Sequence, residues 1–155
     1  MSHEYWLNKA VELACRNVQQ QGGPFAALIV RDNILIAQSG NRVTQQLDPT
    51  AHAEVQAIRM ACQALGDFQL ADCVLYSSCE PCPMCLAAIY WARIDRIYYA
   101  NDRHDAARIG FDDELLYREL TLPPERRAKL VTAMPSEAAR SIFDLWAAKA
   151  DKIEY

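Results

Sequence analysis

Three observations predict an α/β chain in three layers, with a five-stranded mixed sheet between helices. First, a strand at Val74–Ser77, a helix from Pro81 to about Ala92 and a strand at Arg96–Ala100 follow one another. That order demands a parallel pair joined by a right-handed crossover. Second, Phe25–Val30 and Ile34–Ala37 are short apolar runs joined through Arg31-Asp32-Asn33, the pattern of a β-hairpin. Third, helical spacing of apolar residues recurs elsewhere along the chain, which places helices on both faces of the sheet.

The remaining elements follow in order. Tyr5 to Gln20 carries Trp6, Ala10, Leu13, Ala14 and Val18 at helical spacing and stops at Gly22-Gly23-Pro24. Gly40 to Asp48 is polar and predicts a loop. Pro49-Thr50 opens a helix from about Ala51 to Leu65, with Thr50 as its cap, and Gly66 closes it. After Ala100 a polar, flexible segment runs to Gly110, followed by a short helix near Asp112–Glu119 that Leu122-Pro123-Pro124 breaks. Leu130–Ala133 supplies the fifth strand, and Pro135-Ser136-Glu137 starts a last helix to about Lys152. The 155 residues suit one domain, 1–155.

Composition excludes several classes. No apolar run approaches the ~18 residues of a membrane span, and Met1-Ser2-His3-Glu4-Tyr5 lacks the features of a secretion signal. A cytoplasmic location is the expectation. The net charge of -4 and the absence of a dense Lys/Arg cluster argue against a polynucleotide partner. Cys15, Cys62 and Cys73 stand singly in apolar surroundings and are expected in the core, as is Trp91. His3 and His104 are expected at the surface.

The other three cysteines crowd into Ser78-Cys79-Glu80-Pro81-Cys82-Pro83-Met84-Cys85. In a reducing compartment such a cluster points to metal or to chemistry. Cysteines three apart on a helix share a face, so Cys82 and Cys85 can hold one ion, with His52 of His52-Ala53-Glu54 as a third ligand. Cys79 and Cys82 are also three apart; Pro81 at a helix start favours the later pair. One imidazole and two thiolates suit Zn2+, and three protein ligands leave a fourth position for water. Two thiolates cancel the ion's charge, so the water needs Glu54 as a proton acceptor. A zinc-stabilised binding module instead would fill the fourth position and need no Glu54.

His-x-Glu with Pro-Cys-x-x-Cys is the signature of zinc nucleobase deaminases, and the chain resembles the cytidine deaminase superfamily over most of its length. Asp48–Glu54 and Glu80–Cys85 are similar to the branch that holds tRNA adenosine deaminases and bacterial guanine deaminases. Gly22-Gly23-Pro24-Phe25, Gly110-Phe111-Asp112-Asp113 and Glu154-Tyr155 are closer to the guanine deaminases; guanosine and tRNA adenosine deaminases are the alternatives. The resemblance implies the cytidine-deaminase-like fold and release of ammonia from guanine to leave xanthine. A hydroxide generated at zinc would attack C2, with Glu54 as proton shuttle and Asp113 as a second catalytic group. It implies a purine base as the small-molecule partner, bound by Phe25, Asn41, Ala53, Asp113 and Tyr155. Phe25 offers an aromatic face or is a core residue at the start of its strand, and Asn41 donates and accepts or is a turn residue. Asp113 accepts from the ring N–H and amino group, while Asp112 begins the following helix. A homodimer is implied too, in which the segment from about 130 to 155 is exchanged and Tyr155 closes the other subunit's pocket.

Overall fold

A computed structural model describes Met1–Tyr155, which divides into two compact units, Met1–Tyr117 and Arg118–Tyr155. Helix α1, His3–Gln19, begins at Ser2, whose Oγ accepts the Tyr5 N–H at 3.1 Å. Its buried residues Trp6, Ala10 and Ala14 repeat every four positions and form one stripe. Strands β1, Ala26–Arg31, and β2, Ile34–Gly40, make the expected hairpin. Asp32 and Asn33 turn it with φ of 52° and 60°, the left-handed values that short polar side chains tolerate and a tight hairpin needs.

The sheet order is β2-β1-β3-β4, with β3 at Val74–Cys79 and β4 at Arg96–Asn101. β1 runs antiparallel to both neighbours, and β3 and β4 are parallel. Short helix α2, Val43–Gln46, follows β2; α3 is Ala53–Leu65; and α4, Pro83–Trp91, is the crossover between the parallel strands. The alternation of β1 sorts its side chains between two cores. Leu28 and Val30 pack with Trp6 and Ala10 of α1, whereas Ala27 and Ile29 pack with Ala53, Ala57 and Ala61 of α3 and Ile89 of α4. That gives the α/β/α layering. Alanines along α3 let its backbone lie close on the sheet, and this holds the first turn of α3 at the sheet's edge.

The sheet has four strands, not five. Leu130–Ala133 forms no ladder, and Leu130 and Val131 are 94% and 54% exposed. An apolar run becomes a strand only where another strand takes up its backbone hydrogen bonds. The segment expected to be flexible after Ala100 contains helix α5, Arg103–Arg108, fixed by a capping box. Asp102 accepts the Asp105 N–H at 2.8 Å, and Asp105 accepts the Asp102 N–H at 3.1 Å. α6, Asp113–Thr121, comes next, then a 3-10 turn at Pro124–Arg126. α7, Glu137–Ala148, is capped by Ser136 and ends before the expected Lys152. Trp91 is 61% exposed rather than buried, and of the three isolated cysteines only Cys73 is fully buried. No helix is long and apolar enough to cross a membrane.

One buried polar residue fastens the loops that end α1 and β2. Asn17 donates through Nδ2 to the carbonyls of Gly23 at 2.8 Å and Asn41 at 3.0 Å. Its side chain occupies the space where a Cβ on Gly40 would lie, 2.2 Å from Asn17 Oδ1. Gly40→Ala is therefore expected to overpack this corner and cost about 1–3 kcal/mol. A fall in melting temperature checks this, and an unchanged melting temperature refutes it.

Candidate metal and substrate site

Two helix N-termini meet at one end of the sheet. His52 is the N-cap of α3 and Cys82 the N-cap of α4, both extended (φ -65°, ψ 153° and φ -64°, ψ 167°), and neither side chain bonds its own helix. Cap residues ordinarily turn back on the backbone. Here imidazole and thiol point instead at a common spot. The expected cap Thr50 is occupied elsewhere: its N–H and hydroxyl both donate to Asp48 Oδ1, at 2.8 and 2.7 Å. The expected first helical proline, Pro81, lies before α4, and Pro83 takes that position.

His52 Nδ1 is 3.5 Å from Cys82 Sγ and 3.5 Å from Cys85 Sγ, and the three ligand atoms lie within 4.8 Å of one another. Zinc bonds of about 2.1 Å to nitrogen and 2.3 Å to sulfur, at a tetrahedral angle, separate N and S by about 3.6 Å. The residues fit the ion. Cys79 is outside this trio; its thiol faces the Asp102 carbonyl at 3.7 Å, and burial, then the Glu54 charge, push it up to about 12.

Glu54 sits beside the trio at the second position of α3, 6% exposed, with Oε1 accepting from Ser77 Oγ at 3.1 Å and Oε2 accepting from Cys85 Sγ at 3.5 Å. Burial raises its pKa. The Cys85 thiol, hydrogen-bonded to Cys82, is raised, while Cys82 is lowered by that bond and by His52. His52 is raised, chiefly by its bond to Cys82. Two thiols and a carboxyl thus compete for negative charge in one buried place, and a divalent cation relieves that competition.

The trio opens on a cavity of about 240 Å³. Phe25, Asn41, Glu54 and Asp113 line it, as does Phe111, which meets Phe25 edge to face at 4.7 Å between ring centres. Asn41 is buried, and its Oδ1 accepts the Val43 N–H at 3.2 Å. Asp112 accepts the Leu115 N–H at 3.1 Å and so caps α6; Asp113 has its carboxyl at the cavity, where burial, then the Cys82 charge, raise its pKa. Ala53 is fully buried in the core at the first position of α3. Tyr155 ends the second unit, 71% exposed.

Residues 1–101 match the family described as the cytidine and deoxycytidylate deaminase zinc-binding region. The chain belongs to that deaminase family. Across its whole length it is 51% identical to guanine deaminase of Bacillus subtilis strain 168, over 156 aligned residues and 100% of each chain. The X-ray structure of guanine deaminase from Bacillus subtilis superposes with a TM-score of 0.97, covering 100% of this chain and 99% of that one. A structure of guanine deaminase from Nitrosomonas europaea is similar at a TM-score of 0.69 and 32% identity, over 72% of this chain and 65% of that one. A tRNA-specific adenosine deaminase of Agrobacterium fabrum is 54% identical, but over 76 residues, 49% of this chain and 50% of that one.

Residues to which the sequence reading gave no role of their own, Phe111 of the Gly110–Asp113 motif among them, adjoin this deaminase site. Ser77 orients Glu54, Asn17 holds the Asn41 loop, and Phe111 widens the aromatic wall. Ser77 stands two residues before Cys79 on a strand whose face the motif does not reveal. Asn17 occupies a helix end that composition alone leaves unremarkable. Cys82→Ser and Cys85→Ser are each expected to lower bound zinc well below one per chain, whereas Cys79→Ser keeps it whole. Metal analysis of the gel-filtered variants decides; loss of zinc from Cys79→Ser alone would refute the assignment.

Proposed function

We propose that the protein hydrolyses guanine to xanthine and ammonia, with Glu54 as proton shuttle. The observation that carries this reading is the placement of opposite hydrogen-bonding faces on one cavity beside the ligand trio. Asn41, whose Oδ1 is taken by the Val43 N–H, has an amide NH2 to donate, and Asp113 of the same cavity lining has a carboxyl to accept. Guanine presents the complement, an acceptor edge at its carbonyl and a donor edge at the ring N–H and amino group. The full-length identity to a guanine deaminase supports the same substrate. A cavity of about 240 Å³ falls below the ~300 Å³ lower range for drug-sized ligands, which suits a free base better than guanosine. A tRNA substrate is disfavoured by the net charge of -4 and by similarity to tRNA adenosine deaminases that spans 49% and 64% of this chain, against all of it for guanine deaminase.

Held by His52, Cys82 and Cys85, zinc supplies activation of a water nucleophile near neutral pH. The chain's own groups do the rest. Glu54, kept in place by Ser77, takes the proton of the attacking water and delivers it to the ring nitrogen next to C2. Glu54 then takes the proton of the hydroxyl now on C2 and passes it, directly or through Asp113, to the amine; the C–N bond breaks as the new carbonyl forms, and ammonia leaves. Burial raises both carboxyls above their ordinary values, the direction that favours a group which must take up a proton before releasing it. Phe25 and Phe111 close on the faces of the purine ring. Ala53 contributes its backbone N–H, one of the helix-start donors that lack an intrahelical acceptor.

The working form is a homodimer in the cytoplasm in which the segment from about 130 to 155 is exchanged and Tyr155 covers the partner's pocket. Support comes from α7, where Ile142, Phe143, Leu145 and Trp146 are 42–77% exposed, an apolar face of the kind that marks an interface. Six free thiols suit a reducing compartment.

Glu54→Ala is expected to retain zinc and lose roughly 10²–10⁴-fold in kcat on guanine; near-normal turnover in the zinc-loaded variant would sink the mechanism. Asp113→Asn places an amide donor against the donors of guanine, so kcat/KM is expected to fall almost to background while zinc content stays whole. Assays on guanine, guanosine, adenine, cytosine and a tRNA anticodon stem-loop, run side by side, test the substrate. Preference for any of the other four overturns guanine.

A further inference from the structure

We infer that Tyr117 is a positioning residue for substrate recognition, which fixes the segment bearing Phe111 and Asp113 against the metal-binding loop. The inference deepens the guanine reading and rests on it. Asp113 opens α6, and Tyr117 lies four residues on, one turn later on the same face. The Tyr117 hydroxyl donates to the Pro81 carbonyl at 2.8 Å, next to the ligand Cys82. One hydrogen bond therefore ties the helix that carries the substrate carboxylate to the loop that carries a metal ligand.

Three further contacts brace that tie. The Arg103 guanidinium lies over the Tyr117 ring, 4.2 Å from its centre. Arg103 is itself held twice by Glu80: its backbone N–H donates to Oε2 at 3.0 Å, and Nη2 pairs with Oε1 at 3.2 Å. Glu80, Arg103 and Tyr117 thus form a closed chain from the strand end before Cys82, through the start of α5, to the first turns of α6. Phe111 and Asp113 lie on the chain segment between its two anchored points, Arg103 and Tyr117. Without the clamp, the segment from Arg103 to Tyr117 would be free to shift its carboxylate relative to Cys82. A tyrosine is required because a phenyl ring keeps the cation–π contact and loses the bond to Pro81.

The test separates positioning from general stability. Tyr117→Phe, loaded with zinc, is expected to lose roughly tenfold to a hundredfold in kcat/KM on guanine, mostly through KM, with zinc content and melting temperature unchanged. Equilibrium binding in Glu54→Ala protein, which holds guanine without converting it, gives the second readout. There Tyr117→Phe weakens guanine binding, and it weakens it no further once Asp113→Asn is also present. Arg103→Gln keeps the phenol on Pro81 while removing its brace. It lowers kcat/KM in the same direction and carries the test if Tyr117→Phe does not fold. Wild-type kcat/KM in whichever folded variant is tested, or equal weakening with and without Asp113, overturns the positioning role. Wild-type turnover in Asp113→Asn alone would remove the assignment of Asp113, and this inference with it.

Discussion

Everything in this site depends on two helix N-termini aimed at one point. His52 and Cys82 each occupy an N-cap position and each forgo the capping bond. Backbone N–H groups at both helix starts remain directed toward the same small volume, which is electropositive for that reason. An electropositive, partly buried volume is where thiols ionise most readily. Two soft anionic ligands and one imidazole brought there form a zinc site whose ligand spacing matches tetrahedral geometry.

That convergence is a property of the sheet. β2 and β3 both run antiparallel to β1, so the loops that follow them, toward α3 and α4, leave the sheet at the same end. The alanine face of α3, with Ala53, Ala57 and Ala61 fully buried, brings that helix close enough for Glu54 to reach Ser77 of β3. A larger residue at any of the three would lift the helix and separate Glu54 from the ligand trio. Hydrophobic packing and catalytic geometry are here the same constraint.

Around the metal the substrate walls are held by polar ties rather than by packing. Asn17 binds the carbonyls of Gly23 and Asn41, two residues of the cavity lining, and Glu80, Arg103 and Tyr117 anchor the segment that carries Phe111 and Asp113. Such bonds are directional, so they fix orientation where apolar contact would permit sliding. A purine is recognised by the angle and position of a few donors and acceptors, and this demand explains why polar side chains are buried beside the site.

By itself the sequence determined the metal-ligand set and most of the secondary structure. His52, Glu54, Cys82 and Cys85 were legible because zinc chemistry restricts residue type and spacing, and both constraints are written in the chain. The hairpin, the crossover and the long helices were legible because periodicity of apolar residues is local information. Only the tertiary structure decided which residues cap the helices, that Cys79 stays out of the ligand trio, and that Asn41 lines the cavity with its Oδ1 bonded to the Val43 N–H. The same holds for Asn17, Ser77 and Tyr117, whose partners lie 6 to 36 residues away along the chain. Leu130–Ala133 shows the limit most plainly. Its apolar pattern permits a strand, but a strand exists only with a hydrogen-bonding neighbour, and pairing is a fact of three-dimensional arrangement that no single segment contains.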